Sequence, residues 1–205
     1  LQALRGYAKY YASAVRLLRP CIKAKVNDFG LRFLLMGQAI PAFEPKQYDL
    51  PPLTEDMQTE PAVRAMAVAM LDQAKLHVGG VIADTDTEFL HQFRVSIRKL
   101  RSLISLLKKA LPATMIDTLR PRLSSIASKT NKLRDLDVFI LAQDNYRAML
   151  PANFESGLTE LYRLIKKQRK QEKNKVAGYL SSDDYRTDLA ACTAELSQHS
   201  AYQTP

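Results

Sequence analysis

The stretch from His91 to Lys108 carries two rows of side chains at helical spacing, and this double pattern constrains the fold more than any other feature of the chain. Phe93, Ile97, Leu100, Ile104 and Leu107 recur at steps of three and four, which gathers them into one apolar stripe of an α-helix. His91, Arg94, Arg98, Arg101 and Lys108 form a second stripe displaced around the same axis, with Ser105 completing it. Two faces are therefore specified, one for a core and one for something charged.

The rest of the chain keeps the helical period. Residues 1–18 are dense in apolar side chains, with Gly6 the one breaker, and predict a helix ending before Pro20. A second apolar stretch covers 29–40, so that 1–40 reads as a helical N-terminal arm. Pro41, Pro45, Pro51 and Pro52 mark 41–59 as a linker, and the domain boundary is expected there, before a bundle over 60–205.

In the bundle, Val63, Met66, Ala67, Met70, Leu71 and Ala74 predict a helix over 60–78, with Gly79 and Gly80 as its stop. Thr85-Asp86-Thr87-Glu88 reads as a capping box opening the next helix, the Thr85 hydroxyl and the Glu88 carboxylate serving the free amides. Pro112 is expected to end that helix. Further helices are predicted over 113–150, bent at Pro121, over 154–180 and over 183–196. No run of strand alternation follows the linker. The fold class is all-α: an antiparallel bundle of four to five helices.

A chain of 205 residues, 46% hydrophobic and 25% charged, can bury a core without disulfides or metals. Cys21 and Cys192 are far apart and in no metal-ligand spacing, which fits two reduced thiols in a cytoplasmic protein. The apolar runs are too short to span a membrane, and the start lacks the signal-peptide pattern.

Thirty Lys and Arg against 21 Asp and Glu give +9, a balance that concentrates polyanions near the surface. Nucleic acid, anionic membrane and polyphosphate all fit that field. From His91 to Lys175 the excess is larger still, 19 basic against 7 acidic residues, or +12. The 113–150 helix contributes Arg120, Arg122, Lys129, Lys132 and Arg134, and the 154–180 helix contributes Arg163, Lys166, Lys167, Arg169, Lys170, Lys173 and Lys175. Residues 166–175 hold no apolar side chain and are expected to project into solvent or onto a ligand.

Aligned guanidinium groups one turn apart repel by a few tenths of a kcal/mol per exposed pair, so the row does not serve stability. Planar forks at about 5 to 6 Å intervals suit closely spaced oxyanions, and His91 could add a further donor. The plain alternative is a solvated amphipathic helix. Arg134-Asp135-Leu136-Asp137-Val138 reads as structural, with Asp135 or Asp137 pairing with an Arg of the His91 helix to fix its fork. No third acid or His lies in register with the two carboxylates, so neither catalysis nor a metal site is expected.

His91-Gln92-Phe93-Arg94-Val95-Ser96-Ile97-Arg98-Lys99-Leu100-Arg101 resembles the signature helix of the CHAD family, the conserved histidine alpha-helical domain, whose pattern is H-x-x-R-V-x-x-R-[RK]-L-R. Arg134-Asp135-Leu136-Asp137-Val138 is similar to the family's second marker, R-D-x-D-V, and the resemblance covers about residues 60 to 196. It implies an antiparallel helical bundle that binds inorganic polyphosphate without catalysis or a cofactor, located in the cytoplasm or at polyphosphate granules. His91, Arg94, Arg98, Lys99 and Arg101 would then form the binding surface, with Arg134 on it or supporting it. Charge clustering adds Lys108, Lys129, Lys132, Arg163, Lys166, Lys167, Lys170 and Lys173 as candidates.

The family usually pairs two such bundles across a basic groove, whereas one His-Arg helix is present here. The expectation is either a half-domain fragment or a homodimer that completes the groove. CHAD domains often follow a CYTH triphosphate tunnel domain, and Arg5-Gly6-Tyr7 is faintly similar to the end of one, so an accessory role to a CYTH-type enzyme is one alternative. Non-specific nucleic-acid binding is another, although the ridge offers no aromatic stacking platform. A phosphatase or kinase acting through His91 lacks a phosphate loop, and a membrane surface would need the apolar stripes that the core claims.

Overall fold

In the computed structural model, residues 8–18 and 53–197 are described. Among them every regular element is helical: α1 (Ala8–Leu18), α2 (Thr59–Ala83), α3 (Thr87–Leu106), α4 (Ala113–Leu141), α5 (Gln143–Met149), α6 (Glu155–Leu180) and α7 (Asp183–Ser197). Short 3-10 turns, Lys108–Ala110 and Ala152–Phe154, link α3 to α4 and α5 to α6. The chain divides into two units, Leu1–Asp49 and Leu50–Pro205. Arg5-Gly6-Tyr7, Cys21, the 29–40 stretch, residues 41–52 of the linker and the tail from residue 198 with His199 lie outside the described residues.

The second unit is an antiparallel helical bundle of α2, α3, α4, α6 and α7, with the short α5 at one end. Its core grows from the stripes that the periodicity marks. Val63, Ala67, Leu71 and Ala74 of α2 meet Phe93, Ile97, Leu100 and Ile104 of α3, all essentially sealed from solvent. Met115, Leu119, Leu123, Ile126 and Leu133 of α4, Val176 and Leu180 of α6, and Tyr185, Cys192 and Leu196 of α7 close the other side. Each buried Leu or Ile contributes about 1.5 to 3 kcal/mol relative to an exposed one, which outweighs the weak repulsion within the basic row.

Four local readings are corrected. Gly79 and Gly80 do not stop α2, which runs on to Ala83. A Cβ at Gly80 would lie 2.2 Å from Phe89 Cδ1, so this glycine lets the Phe89 ring close against the helix backbone. The stop is Asp84, left-handed at φ 52°, a conformation that Asp tolerates better than most residues.

The N-cap of α3 is Asp86, not Thr85, and its carboxylate accepts the Glu88 N–H at 2.8 Å. The α3 helix ends at Leu106, before Pro112, and Lys108 therefore sits in the 3-10 turn. The predicted 113–150 helix continues through Pro121 and breaks at Ala142 instead. Past Leu141 most side chains are exposed, and without an apolar face to pack little holds one continuous helix.

Candidate anion-binding groove

The α3 and α4 helices lie side by side, and the cationic stripe of α3 faces the seam between them. Two adjoining recesses of about 320 Å³ each open along that seam. The first is lined by His91, Arg94, Arg98 and Arg101 of α3 and by Ala127, Thr130, Asn131 and Arg134 of α4. The second is lined by Arg98, Arg101, Ser102 and Ser105 of α3, Lys108 of the turn, and Arg120 and Ser124 of α4. Arg98 and Arg101 border both, so the recesses form one slot. No Asp or Glu is among the described residues that line it.

Arg94 is the fixed point of this slot. Its Nη1 donates to Thr130 Oγ1 at 2.8 Å, Asn131 Oδ1 at 2.8 Å and the Ala127 carbonyl at 3.1 Å. All three acceptors are neutral, which holds the fork in place without cancelling its charge. Thr130 is fully buried in the apolar register of α4, and its hydroxyl donates in turn to the Ala127 carbonyl at 2.9 Å. Burial lowers the Arg94 pKa, Asp135 opposes that, and the fields of Arg134, Arg98 and Arg101 lower it further. A partly desolvated guanidinium gains from an arriving anion, because an opposite charge favours its charged form.

The acids of the R-D-x-D-V segment do not touch the α3 forks as expected. Asp135 acts on Arg94 through its field alone. Asp137 is buried and accepts from Arg169 of α6, Nε to Oδ1 at 2.6 Å. The same guanidinium grips Asp84 with two bonds, 2.7 and 3.0 Å. Arg169 thus ties the C-cap of α2, the end of α4 and the middle of α6 together, and the two carboxylates raise its pKa against the opposing effect of burial. Burial pushes the Asp137 carboxyl above its ordinary range, against the pull of Arg169.

The other basic candidates occupy different surroundings. Lys99 is exposed on α3 and does not line the slot. Lys129 lies 5.0 Å from the ring centre of Tyr179 on α6, a cation–π contact. Lys132 and Lys175 flank the carboxylate of Glu172 at 3.3 and 2.8 Å, and this pairing holds the Glu172 pKa down. Arg163 is bidentate to Glu160 at 2.6 and 2.7 Å on an exposed surface. Lys166, Lys167 and Lys170 are exposed on α6, and Lys173 is half-exposed. Residues 166–175 are not all turned outward, because Arg169 and Glu172 face inward.

The structure therefore brings His91, Arg94, Arg98, Arg101, Lys108 and Arg134 into one slot with Arg120, and leaves Lys129, Lys132, Lys166, Lys167, Lys170, Lys173 and Arg163 outside it. Thr130, Asn131, Ser102 and Ser124 were not among the sequence candidates. A Thr at a core position of an apolar register is a readable signal for the first. The others enter only through the pairing of two helices.

Fold and site together define a class: an antiparallel helical bundle with a basic, acid-free groove between two of its helices. The family model of the CHAD domain matches residues 65–205, more than half of the sequence, and the chain belongs to the CHAD domain family. The crystal structure of the CHAD domain from the plant Ricinus communis is similar to it, with a TM-score of 0.61 and 25% identity over 76% of this chain and 51% of that one. The chain thus spans about half the length of that relative. No curated protein matches the chain. Among the described residues, no helix is long and apolar enough to cross a membrane.

Proposed function

We propose that this chain is a non-catalytic module that binds inorganic polyphosphate, or a closely similar polyanion, along the α3–α4 groove. The observation that carries the reading is the Arg94 fork, immobilised by neutral oxygens in a slot lined by five further cations and His91 but no carboxylate. Successive turns of α3 offer a donor group at about 5 to 6 Å intervals, which suits a chain of linked phosphates rather than a single compact anion. Ser102, Ser105 and Ser124 add hydroxyls between the cations. A scaffold or targeting role fits such a surface, as does a place beside polyphosphate granules or a CYTH-type domain.

The test is a titration with polyphosphate against single-stranded RNA of equal charge. Polyphosphate is expected to bind more tightly, with log affinity falling by roughly 0.7 per tenfold salt for each contact, by analogy with single strands. Equal displacement by RNA would replace this reading with non-specific nucleic-acid binding. Phosphate release from polyphosphate by the purified chain would overturn the non-catalytic part.

A further inference from the structure

Three oxygens hold the Arg94 guanidinium, and they differ in what they can decide. The Ala127 carbonyl belongs to the backbone, and Thr130 is sealed in the core of the bundle. Asn131 is the exposed member of the set, and its side chain also lines the recess with His91, Arg98, Arg101 and Arg134. Residues 127, 131 and 134 fall four and three apart on α4, so they share one helix face. Asn is a weak helix former, and an exposed position in the body of α4 gains nothing from it locally. What it contributes lies across the seam, at Arg94.

The amide oxygen accepts from Arg94 Nη1 at 2.8 Å without carrying a charge, so the cation keeps its attraction for an anion. With that oxygen committed to Arg94, the orientation of the amide is set and its N–H donors are left for an oxyanion in the same recess. A carboxylate of the same size at this position would close on the Arg94 fork with charge-assisted bonds. It would also put a negative charge on the wall of a slot lined, among the described residues, by no Asp or Glu. Exchange of one amide nitrogen for oxygen thus separates a groove open to anions from one filled by its own side chain.

We propose that Asn131 is a specificity-determining residue of the groove, which anchors Arg94 through its oxygen and donates its amide N–H to the phosphate oxygen that Arg94 holds. The inference rests on the groove reading above and deepens it. In calorimetric titration of the full chain with polyphosphate, Asn131→Asp should weaken binding about tenfold or more at about the parent's melting temperature, because an ion pair replaces the neutral bond to Arg94. Gln168→Glu makes the same change of net charge at an exposed position of α6 and should weaken binding far less. Asn131→Ala removes a donor but no charge, so affinity should fall a few-fold by the same factor at low and high salt. An Asn131→Asp variant that binds like Gln168→Glu, or whose lost affinity comes with a lower melting temperature, overturns the inference, as does full affinity in Asn131→Ala. If the parent binds and Arg94→Ala with Arg98→Ala does not, such a result removes Asn131 alone. A parent that fails to bind removes the groove reading and the role of Asn131 with it.

Discussion

The row of cations on α3 and the row on α6 are similar in the sequence and opposite in the structure. On α3, Arg94 is held by a threonine, an asparagine and a backbone carbonyl, and Arg98 and Arg101 stand exposed beside it along an acid-free slot. On α6, Arg163 is closed on Glu160, Arg169 on two aspartates, and Lys175 on Glu172. A count of basic residues measures the field around a molecule, whereas the acceptors around each cation decide what is left for a ligand. By that measure α3 presents charge and α6 spends part of its own on joining the helices.

The largest expected effect separates the two rows by stability. Arg169→Ala leaves the buried Asp137 carboxylate without its cation and should cost about 3 to 5 kcal/mol, read from denaturant unfolding. Without Arg169, burial raises the Asp137 pKa still further above its unfolded value. The folded state then binds more protons, so the variant should regain stability as the pH falls from neutral through that raised pKa. A variant that loses stability in step with the parent on acidification would break the assignment.

Next is the ligand side. Arg94→Ala with Arg98→Ala removes two charge-assisted contacts of about 1.5 kcal/mol or more each, and should weaken polyphosphate binding on the order of a hundredfold by calorimetry. Its melting temperature should move much less, since Thr130 keeps its bond to Ala127. Unchanged affinity would remove the groove from the function.

Replacing Lys166, Lys167, Lys170 and Lys173 together by Ala should weaken binding about tenfold at low salt and hardly at all at high salt, because exposed charges act through a screened field. A loss equal to that of the α3 pair would make the rows equivalent. The smallest effect has the opposite sign: Glu172→Gln releases Lys132 and Lys175 and should strengthen binding by a few-fold. Weaker binding in that variant would show that the ion pairs position the lysines rather than occupy them.

These contrasts follow the limits of reading a helical chain. The two stripes of α3 were legible because both belong to one helix, where steps of three and four fix which side chains share a face. The Asp86 cap lay within one residue of its expected place. Gly80 was misread because the sequence shows its freedom but not the Phe89 ring that requires it. Arg169 was grouped with its lysine neighbours because its partners, Asp84 and Asp137, are 85 and 32 residues away. The Arg94 cradle on α4 was out of reach for the same reason: no local spacing links residue 94 to residues 127–131.

The anchoring of Arg94 bears on how long a guest stays. A guanidinium already immobilised has little rotational freedom left to surrender on contact, so the full strength of its bonds acts against departure. On the proposed reading the outlying exposed lysines act earlier, drawing the anion in from solution through a field that salt can erase. Capture and retention would then fall to the outlying and the anchored cations respectively, and ionic strength should alter the speed of arrival far more than the dwell time.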